Sequence, residues 1–212
     1  MKEFTANKNK ALLPIHDKTA IEYIIEAYPE DAEFVFAIGY LGDQLKDFVG
    51  KIFPERKFTW VVVENFDGYG SGPGLSLLAC KDFLQCPFVL ANVDALVSGK
   101  VPSPDENWFG VAPVDDTSRF CSVSVDEEEN ILAIVDKQKT TNKYAFTGIA
   151  GIYDYKLFWD SLEDNKKLVA GERQVSNGFQ ALREVGMSIR VLDWFDTGVP
   201  EAYEATCRNF PK

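Results

Sequence analysis

Short apolar runs alternate with helical patterns through the first half of the chain. The run from Phe88 to Asp94 follows Pro87, is too short for a stable helix and ends in polar residues, which is typical of a strand buried on both faces. Two similar runs, Phe34 to Ile38 and Phe58 to Val63, predict further strands. Because helical stretches separate these runs, the pattern indicates right-handed crossovers and a mainly parallel sheet.

The helical stretches carry recognisable start and stop signals. Thr19 and Glu22 have the spacing of a capping box, and Pro29 stops the helix that follows them. Pro200 stands at a first-turn position of the last helix. The predicted helices are Ala20 to Tyr28, Gly42 to Val49, Leu75 to Leu84, Lys156 to Leu162, Asn177 to Glu184 and one that begins at Pro200.

The second half of the chain is richer in strand patterns. Strands are predicted at Trp108 to Val114, Cys121 to Val125, Ile131 to Val135, Tyr144 to Ile152 and Ser188 to Leu192. Loops or turns are predicted at residues 1–9, 95–97, 126–130, 163–174 and 193–198. No internal repeat or linker-like tract interrupts the pattern, so we expect residues 1–212 to form one domain of the α/β class.

Composition narrows the classes of partner. The 212 residues are 46% hydrophobic and carry a formal net charge of -11, which argues against nucleic acid or an anionic membrane as partner. A few lysines in one cleft could still bind a small anion. No signal peptide and no bilayer-spanning apolar run is visible, so we expect a cytoplasmic protein.

Cysteine and histidine usage disfavours two kinds of site. None of the four cysteines lies in a C-x-x-C pair, and His16 is the single histidine. A structural zinc site and catalysis by a Ser-His-Asp or Cys-His pair are therefore poor expectations. Buried thiols in a reducing compartment are the simplest interpretation.

Asp94 is the first candidate for chemistry. It stands where a buried strand would end, and ligands of open α/β sheets gather at that edge. The alternative is that Asp94 caps a turn at residues 95–97, and for the residue taken alone the cap is the better interpretation.

Seven short motifs in order resemble those of the sugar-phosphate nucleotidylyltransferases. Each motif alone is weak, but their order and spacing are specific, and they extend from Lys10 to about Tyr203. The motifs are Lys10-Ala11-Leu12-Leu13-Pro14-Ile15, Gly39-Tyr40-Leu41-Gly42, Gly72-Pro73-Gly74, Phe88 to Asp94, Val135-Asp136-Lys137-Gln138, Phe146-Thr147-Gly148-Ile149 and Asp196 to Tyr203. The resemblance implies a Rossmann-like three-layer fold of the nucleotide-diphospho-sugar transferase type with a mostly parallel central sheet.

The resemblance also implies an activity and a set of roles. The family transfers a nucleoside monophosphate from a triphosphate to a sugar phosphate or a similar phosphomonoester, and releases pyrophosphate. By the motifs that they match, Asp94 and Asp196 would bind Mg²⁺. Lys10 would offset the charge of the triphosphate, and Lys137 would hold the phosphate of the acceptor. The other residues that match the motifs are Gly72, Gly74 and Asn92 for the nucleotide, and Asp136, Thr147 and Gly148 for the substrate.

One part of the family pattern is not matched. A first strand and a G-x-G-[ST]-R loop normally precede the K-x-L-L-P-h segment, whereas here only nine mostly polar residues precede Lys10. We therefore expect a chain that is truncated, with Met1 an internal methionine, or one that has lost the loop. Its absence would leave two strand edges unpaired, which favours homo-oligomers, and would lower activity, because the loop donates backbone N–H groups to the triphosphate.

Several alternatives stay open. Lys10 and Lys137 could be surface lysines, the glycines could form an ordinary turn, and Asp196 could cap the last helix. The chain could also be a non-catalytic relative that binds a nucleotide or a partner. A glycosyltransferase ranks last, since Asn92 stands where its D-x-D motif needs the first aspartate.

Overall fold

A computed structural model describes residues 2–211. The helices are α1 (Lys2–Thr5), α2 (Ala20–Glu26), α3 (Gly42–Ile52), α4 (Pro73–Leu78), α5 (Tyr155–Asp164), α6 (Ser176–Val185) and α7 (Pro200–Asn209). The strands are β1 (Pro14–Ile15), β2 (Lys18–Thr19), β3 (Phe34–Ile38), β4 (Phe58–Val62), β5 (Phe88–Ala91), β6 (Ala95–Val97), β7 (Trp108–Pro113), β8 (Cys121–Val125), β9 (Ile131–Asp136), β10 (Tyr144–Ile152), β11 (Leu168–Val169), β12 (Glu172–Arg173), β13 (Ser188–Val191) and β14 (Trp194–Asp196). The predicted α/β class is confirmed.

These elements divide between two compact units. The first unit comprises the described residues up to 62 together with 91–101 and those from 193 onward. The second unit comprises residues 63–90 and 102–192. Each unit has its own hydrophobic core.

The first unit contains three two-stranded sheets. β3 and β4 pair in parallel, with Phe34 opposite Phe58 and Ile38 opposite Val62. Aromatic rings line one face of this pair, and the rings of Phe36 and Trp60 stack with their centroids 4.9 Å apart. The other two sheets are antiparallel and join β6 to β14 and β1 to β2. Helix α2 supplies much of the core, because its apolar residues recur at helical spacing on one face.

The start of α2 follows from its capping residues. The Glu22 carboxylate accepts hydrogen bonds from the backbone N–H and the hydroxyl of Thr19, both at 2.8 Å. This satisfies a backbone donor that the first helical turn leaves without an intrahelical partner, so the predicted capping box is confirmed. The helix ends at Glu26, two residues before the predicted end at Tyr28.

The second unit contains a six-stranded mixed sheet. Its strand order is β13-β7-β10-β8-β9, and β5 pairs with β10. β13 runs parallel to β7, whereas the pairs β7–β10, β10–β8 and β8–β9 are antiparallel. Helices α5 and α6 pack with this sheet around a core in which Trp108 and Trp159 are fully buried.

Five segments differ from the sequence predictions. Residues 95–97 and 194–196 form β6 and β14 rather than turns, because each segment finds its partner about a hundred residues away and neither is a strand by itself. The N-terminal segment, expected to be loop, contains the single helical turn α1. The loop at 163–174 contains the hairpin β11–β12. The helix expected to reach Leu84 ends at Leu78 and is followed by a 3₁₀ turn.

The absence of a first strand was predicted to leave strand edges unpaired, and the β3–β4 sheet has such edges. Among the described residues no strand precedes Pro14, and β3 pairs with β4 alone. Met1, treated above as an internal methionine, lies outside the described residues. No helix within residues 2–211 has both the length and the apolar character that a membrane span requires.

Candidate active site

In the first unit, an ion pair joins two residues that are distant in sequence. Lys10 Nζ donates to Asp94 Oδ2 at 2.7 Å. Lys10 opens a 3₁₀ turn whose cap is Asn9, since the Asn9 side chain accepts from the Ala11 N–H at 3.0 Å. The Asn9 amide in turn donates to the Leu41 carbonyl at 3.2 Å, so the start of Lys10's turn is fixed to the segment before α3.

Asp94 and Asp196 are brought together by strand pairing. Ala95 lies opposite Asp196 in the antiparallel β6–β14 register, so Asp94 directly precedes the paired position. The Thr197 N–H donates to the Asp94 carbonyl at 3.0 Å and fixes the two chain segments. A Cβ added at Gly198 would lie 2.8 Å from Asp196 Oδ1 and 3.6 Å from Asp94 Oδ2. Both carboxylates therefore flank one small space that the glycine leaves open.

Asn92 shapes the turn that leads to Asp94. Its carbonyl accepts a hydrogen bond from the Ala95 N–H at 3.2 Å, which closes a tight turn between β5 and β6. The residue is half-buried. Lys10, Asn92, Asp94 and Asp196 all belong to the first unit.

In the second unit, Asp136 and Lys137 stand at the end of β9. Ser176 Oγ donates to Asp136 Oδ2 at 2.6 Å, so this carboxylate is bound to the start of α6. Lys137 has a left-handed backbone with φ of 48°, which is uncommon for a residue with a side chain and marks a position worth testing for function. Its Nζ donates to Glu172 Oε2 at 3.1 Å.

The Asp136 carboxylate has a further neighbour, the Cys121 thiol. Burial raises the pKa of this thiol well above its usual value, and the negative charge of Asp136 and its hydrogen bond with the thiol raise it further. Cys121 therefore stays protonated and acts as a donor to Asp136 rather than as a nucleophile.

Gly72 and Gly74 pack against the β11–β12 hairpin. A Cβ at Gly72 would lie 2.8 Å from the Arg173 carbonyl oxygen, and one at Gly74 would lie 2.7 Å from the Gln174 carbonyl oxygen. Gly72 also has a φ of 116°, which side chains rarely adopt. These contacts give both positions a reason to be glycine within the protein itself, whatever their relation to a nucleotide.

Thr147 and Gly148 lie in an irregular part of β10. The register with β7 shifts between Phe146 and Ala150, and Gly148 has a φ of 89°. Thr147 is 3% exposed and its hydroxyl donates to the Gly110 carbonyl at 3.0 Å. In this structure the hydroxyl thus holds the irregularity against β7, and a substrate contact of Thr147 stays a prediction. Such bulges are frequent beside active sites.

Three residues that contact the candidate site residues were not predicted from the sequence. Gly198 leaves the space between the two aspartates, Glu172 pairs with Lys137, and Ser176 binds Asp136. Gly198 lies in the motif from Asp196 to Tyr203, but the resemblance assigns it no role. The turn residues Ala170 and Gly171 could have indicated the hairpin that carries Glu172.

Sequence comparison identifies relatives of about twice the length. No family model matches the chain. The chain is 25% identical over 207 residues to the bifunctional protein GlmU of Methanocaldococcus jannaschii, covering 94% of this chain and 48% of that protein. It is 23% identical over 207 residues to GlmU of Methanococcus vannielii, covering 92% and 48%. The chain thus spans about half the length of these curated relatives.

Structure comparison extends the likeness to whole chains. CTP:phosphocholine cytidylyltransferase from Streptococcus pneumoniae matches with a TM-score of 0.79 and 15% identity, covering 100% of this chain and 93% of that chain. A nucleoside-diphosphate-sugar pyrophosphorylase from Vibrio cholerae matches with a TM-score of 0.77 and 14% identity, covering 98% and 96%. A UDP-glucose pyrophosphorylase complexed with UDP-glucose matches with a TM-score of 0.71 and 16% identity, covering 95% and 89%. The chain is therefore related in sequence to GlmU and has the fold of the sugar-phosphate nucleotidylyltransferases, as its ordered motifs predict.

Proposed function

We propose that this chain is a nucleotidylyltransferase domain that transfers a nucleoside monophosphate from a nucleoside triphosphate to a sugar phosphate or a similar phosphomonoester. The observation that carries the proposal is the convergence of Lys10, Asp94 and Asp196 in the first unit. The ordered motifs and the nucleotidylyltransferase fold support the same reaction.

The two aspartates fit a site for Mg²⁺. Carboxylate oxygens are the ligands that this hard cation prefers, and it is commonly held by one or two carboxylates together with substrate phosphates. Gly198 leaves room between Asp94 and Asp196 that any side chain would fill. When bound there, the ion would neutralise phosphate charge and align the reacting oxygens.

Lys10 supplies positive charge at the same place. In the reaction a phosphomonoester oxygen attacks the α-phosphorus and pyrophosphate leaves, so negative charge must be neutralised throughout. The Lys10 ammonium, already held beside Asp94, has N–H groups to donate to a triphosphate oxygen. Its pairing with Asp94 keeps the side chain oriented before the substrate arrives.

The residues of the second unit take the remaining roles in this proposal. Lys137 binds the phosphate of the acceptor, while Asp136, Thr147 and Gly148 line the acceptor site. Gly72 and Gly74 are assigned to the nucleotide by the motif that they match. Asn92, in the first unit, carries the same assignment from its own motif. A protein that uses these substrates and has four cysteines outside any disulfide fits the reducing cytoplasm.

A pyrophosphate-release assay tests the proposal. The chain is incubated with Mg²⁺, each of ATP, CTP, GTP, UTP and dTTP, and each of several phosphomonoesters, including glucose 1-phosphate and phosphocholine. We expect release with at least one pair, and loss of release in Asp94→Asn and Asp196→Asn. No release with any pair, from this chain or from one extended at its N-terminus by a strand and a G-x-G-[ST]-R loop, would contradict the proposal.

The same two chains test the level of activity. We propose that the extension raises turnover, because backbone N–H groups of such a loop bind triphosphate oxygens. An equal rate in both chains would contradict this part. Calorimetry with the five triphosphates separates the alternative of a non-catalytic relative, for which binding without turnover is the expected result.

A further inference from the structure

The hairpin β11–β12 holds one carboxylate against the lysine that would bind the acceptor phosphate. Glu172 is the first residue of β12, and its Oε2 accepts from Lys137 Nζ at 3.1 Å. The same oxygen accepts from Gln174 Nε2 at 3.1 Å, so two donors fix its position. The lysine contact is thus made by a carboxylate that is itself held.

The hairpin that carries Glu172 is tied to its surroundings on two sides. On one side the Gly70 N–H donates to the Gly171 carbonyl at 2.8 Å, and the Arg173 N–H donates to the Ser71 carbonyl at 2.7 Å. The absence of a side chain at Gly72 lets the loop approach the hairpin backbone closely. The backbone of Glu172 is therefore anchored by hydrogen bonds on each side of it.

On the other side, Arg173 binds the end of α5. Its guanidinium donates to the carbonyls of Leu162 and Glu163, in the last turn of that helix. A cation at a helix C-terminus also interacts favourably with the helix dipole. The hairpin is thus a rigid arm rather than a loose loop, although it is only four paired residues long.

Lys137 has a fixed backbone and a long side chain that a contact with Glu172 can orient. Its backbone is left-handed and its N–H donates to the Phe120 carbonyl at 2.8 Å, so the backbone is fixed. The side chain is 39% exposed. Four rotatable bonds give a lysine side chain one of the largest conformational entropies, which a ligand must otherwise remove.

We propose that Glu172 is a positioning residue, which orients the Lys137 ammonium for the phosphate of the acceptor. One N–H of the ammonium is bound to Glu172, and the other two remain directed by that contact for phosphate oxygens. The inference rests on the proposed function, because it assigns Lys137 to the acceptor phosphate. It adds a residue outside the motifs and a physical role for the hairpin.

The negative charge of Glu172 acts in the opposite sense, since it repels an anion. The pair is open to water, where charge repulsion is screened, whereas the orientation of the side chain is kept. We therefore expect orientation to outweigh repulsion. This expectation separates a positioning residue from a competitor that occupies Lys137 in place of the phosphate.

Calorimetry with inorganic phosphate, in the absence of any triphosphate, measures this role. Glu172→Ala removes the carboxylate that accepts a hydrogen bond from Lys137, and should weaken phosphate binding about tenfold. Glu172→Gln keeps an oxygen that accepts from Lys137 and should stay within about threefold of the wild type. In a Lys137→Met background, Glu172→Ala should have almost no effect, because the cycle isolates the coupling between the two residues. Glu33→Ala is the matched control, since Glu33 also pairs with a lysine, Lys57, at 2.6 Å and takes no part in holding the hairpin.

Steady-state kinetics give the second readout. With glucose 1-phosphate as acceptor, Glu172→Ala should raise KM about tenfold and leave kcat within about twofold, because the lost orientation affects binding. Equal or tighter phosphate binding by Glu172→Ala, or an effect that persists without Lys137, overturns the inference. If Lys137→Met does not weaken phosphate binding by the wild-type chain, the acceptor role of Lys137 in the proposed function fails as well.

Discussion

Lys10 Nζ lies 2.7 Å from Asp94 Oδ2, although the two residues are 84 positions apart in the chain. The side chains are 28% and 35% exposed, so water screens the pair partly. Exposed ion pairs contribute only about 0–1 kcal/mol to stability, which is little reason by itself to hold a lysine beside Asp94. The proposed function gives the pair a further role, as part of a site that handles phosphate charge.

Lys10→Met should therefore lower activity far more than stability. Loss of a preorganised positive charge typically lowers turnover by about 10²–10³-fold, whereas loss of this partly exposed pair costs about 1 kcal/mol or less. Pyrophosphate release and urea denaturation measure the two effects on the same preparation.

Lys18→Met is the control for Lys10→Met. Lys18 pairs with Glu26 at 2.6 Å and has similar exposure, but its partner is neither Asp94 nor Asp196 and it carries no proposed role. Equal loss of turnover in both variants would count against a special role for Lys10.

Gly198→Ala should weaken binding of a divalent cation. The added Cβ would lie 2.8 Å from Asp196 Oδ1, closer than real contacts allow, so the carboxylate must move. Titration of the chain with Mn²⁺, followed by electron paramagnetic resonance, should show affinity about tenfold or more below that of the wild type, as expected when ligand positions shift.

Gly50→Ala in α3 controls for the chemistry of the substitution. A Cβ there meets nothing within 4 Å, and alanine in a helix is about 0.5–1 kcal/mol more favourable than glycine. Gly50→Ala should bind Mn²⁺ as the wild type does and unfold at slightly higher urea concentration. Wild-type Mn²⁺ affinity in Gly198→Ala would remove the proposed metal role of this space.

Gly72→Ala should destabilise the second unit through its contact with the hairpin. Gly68 provides a close control because it has a φ of 95° without any atom within 4 Å of an added Cβ, whereas the Cβ at Gly72 would meet the Arg173 carbonyl oxygen at 2.8 Å. Both variants bear backbone strain, but only Gly72→Ala also bears a steric clash. We expect Gly72→Ala to lose about 1–3 kcal/mol more than Gly68→Ala in urea denaturation.

Local patterns predict the strands and helices that their own residues define. The run 34–38 and the capping pattern at Thr19 and Glu22 suffice because their signals are contained within a few residues. β6 and β14 escape prediction for the opposite reason. Each has three residues, and only their mutual pairing makes them strands.

The residues of the candidate site also fall into those that local motifs predict and those that only tertiary contacts reveal. Asp94, Asp196 and Lys10 could be chosen from motifs, and the structure brings them together through a pairing that the motifs do not specify. Glu172 could not be chosen, because its relation to Lys137 depends on a hairpin hidden in a polar stretch. Tertiary contacts of short elements carry no periodic signal.

Stability should fall between about pH 9 and pH 11, in part through Cys80. Burial raises the pKa of this thiol from 9.0 to about 11. Below pH 9 the thiol is protonated in both states, so its contribution is fully present. As the pH rises, the unfolded chain ionises first, and the contribution is lost by about pH 11. Urea midpoints at pH 8, 9.5 and 11 should fall less steeply in Cys80→Ala.

Cys86→Ala provides the comparison for Cys80→Ala, since Cys86 is exposed. Its midpoints should follow the wild-type pH dependence. A Cys80→Ala profile parallel to the wild type would show that another group governs this range.

Ala37→Lys should reduce self-association of the chain. β3 pairs with β4 alone among the described strands, and its five residues carry no charge that would oppose pairing with a second copy. Such an apolar edge favours strand addition, and a lysine on it is a known way to prevent that. Ala37 is exposed, so the substitution adds charge without filling the core.

Light scattering across a concentration series should show association in the wild type and a smaller mass in Ala37→Lys, whereas a lysine at the exposed Leu132 of β9 should leave the mass unchanged. A wild-type chain that stays monomeric at every concentration would contradict association through this edge.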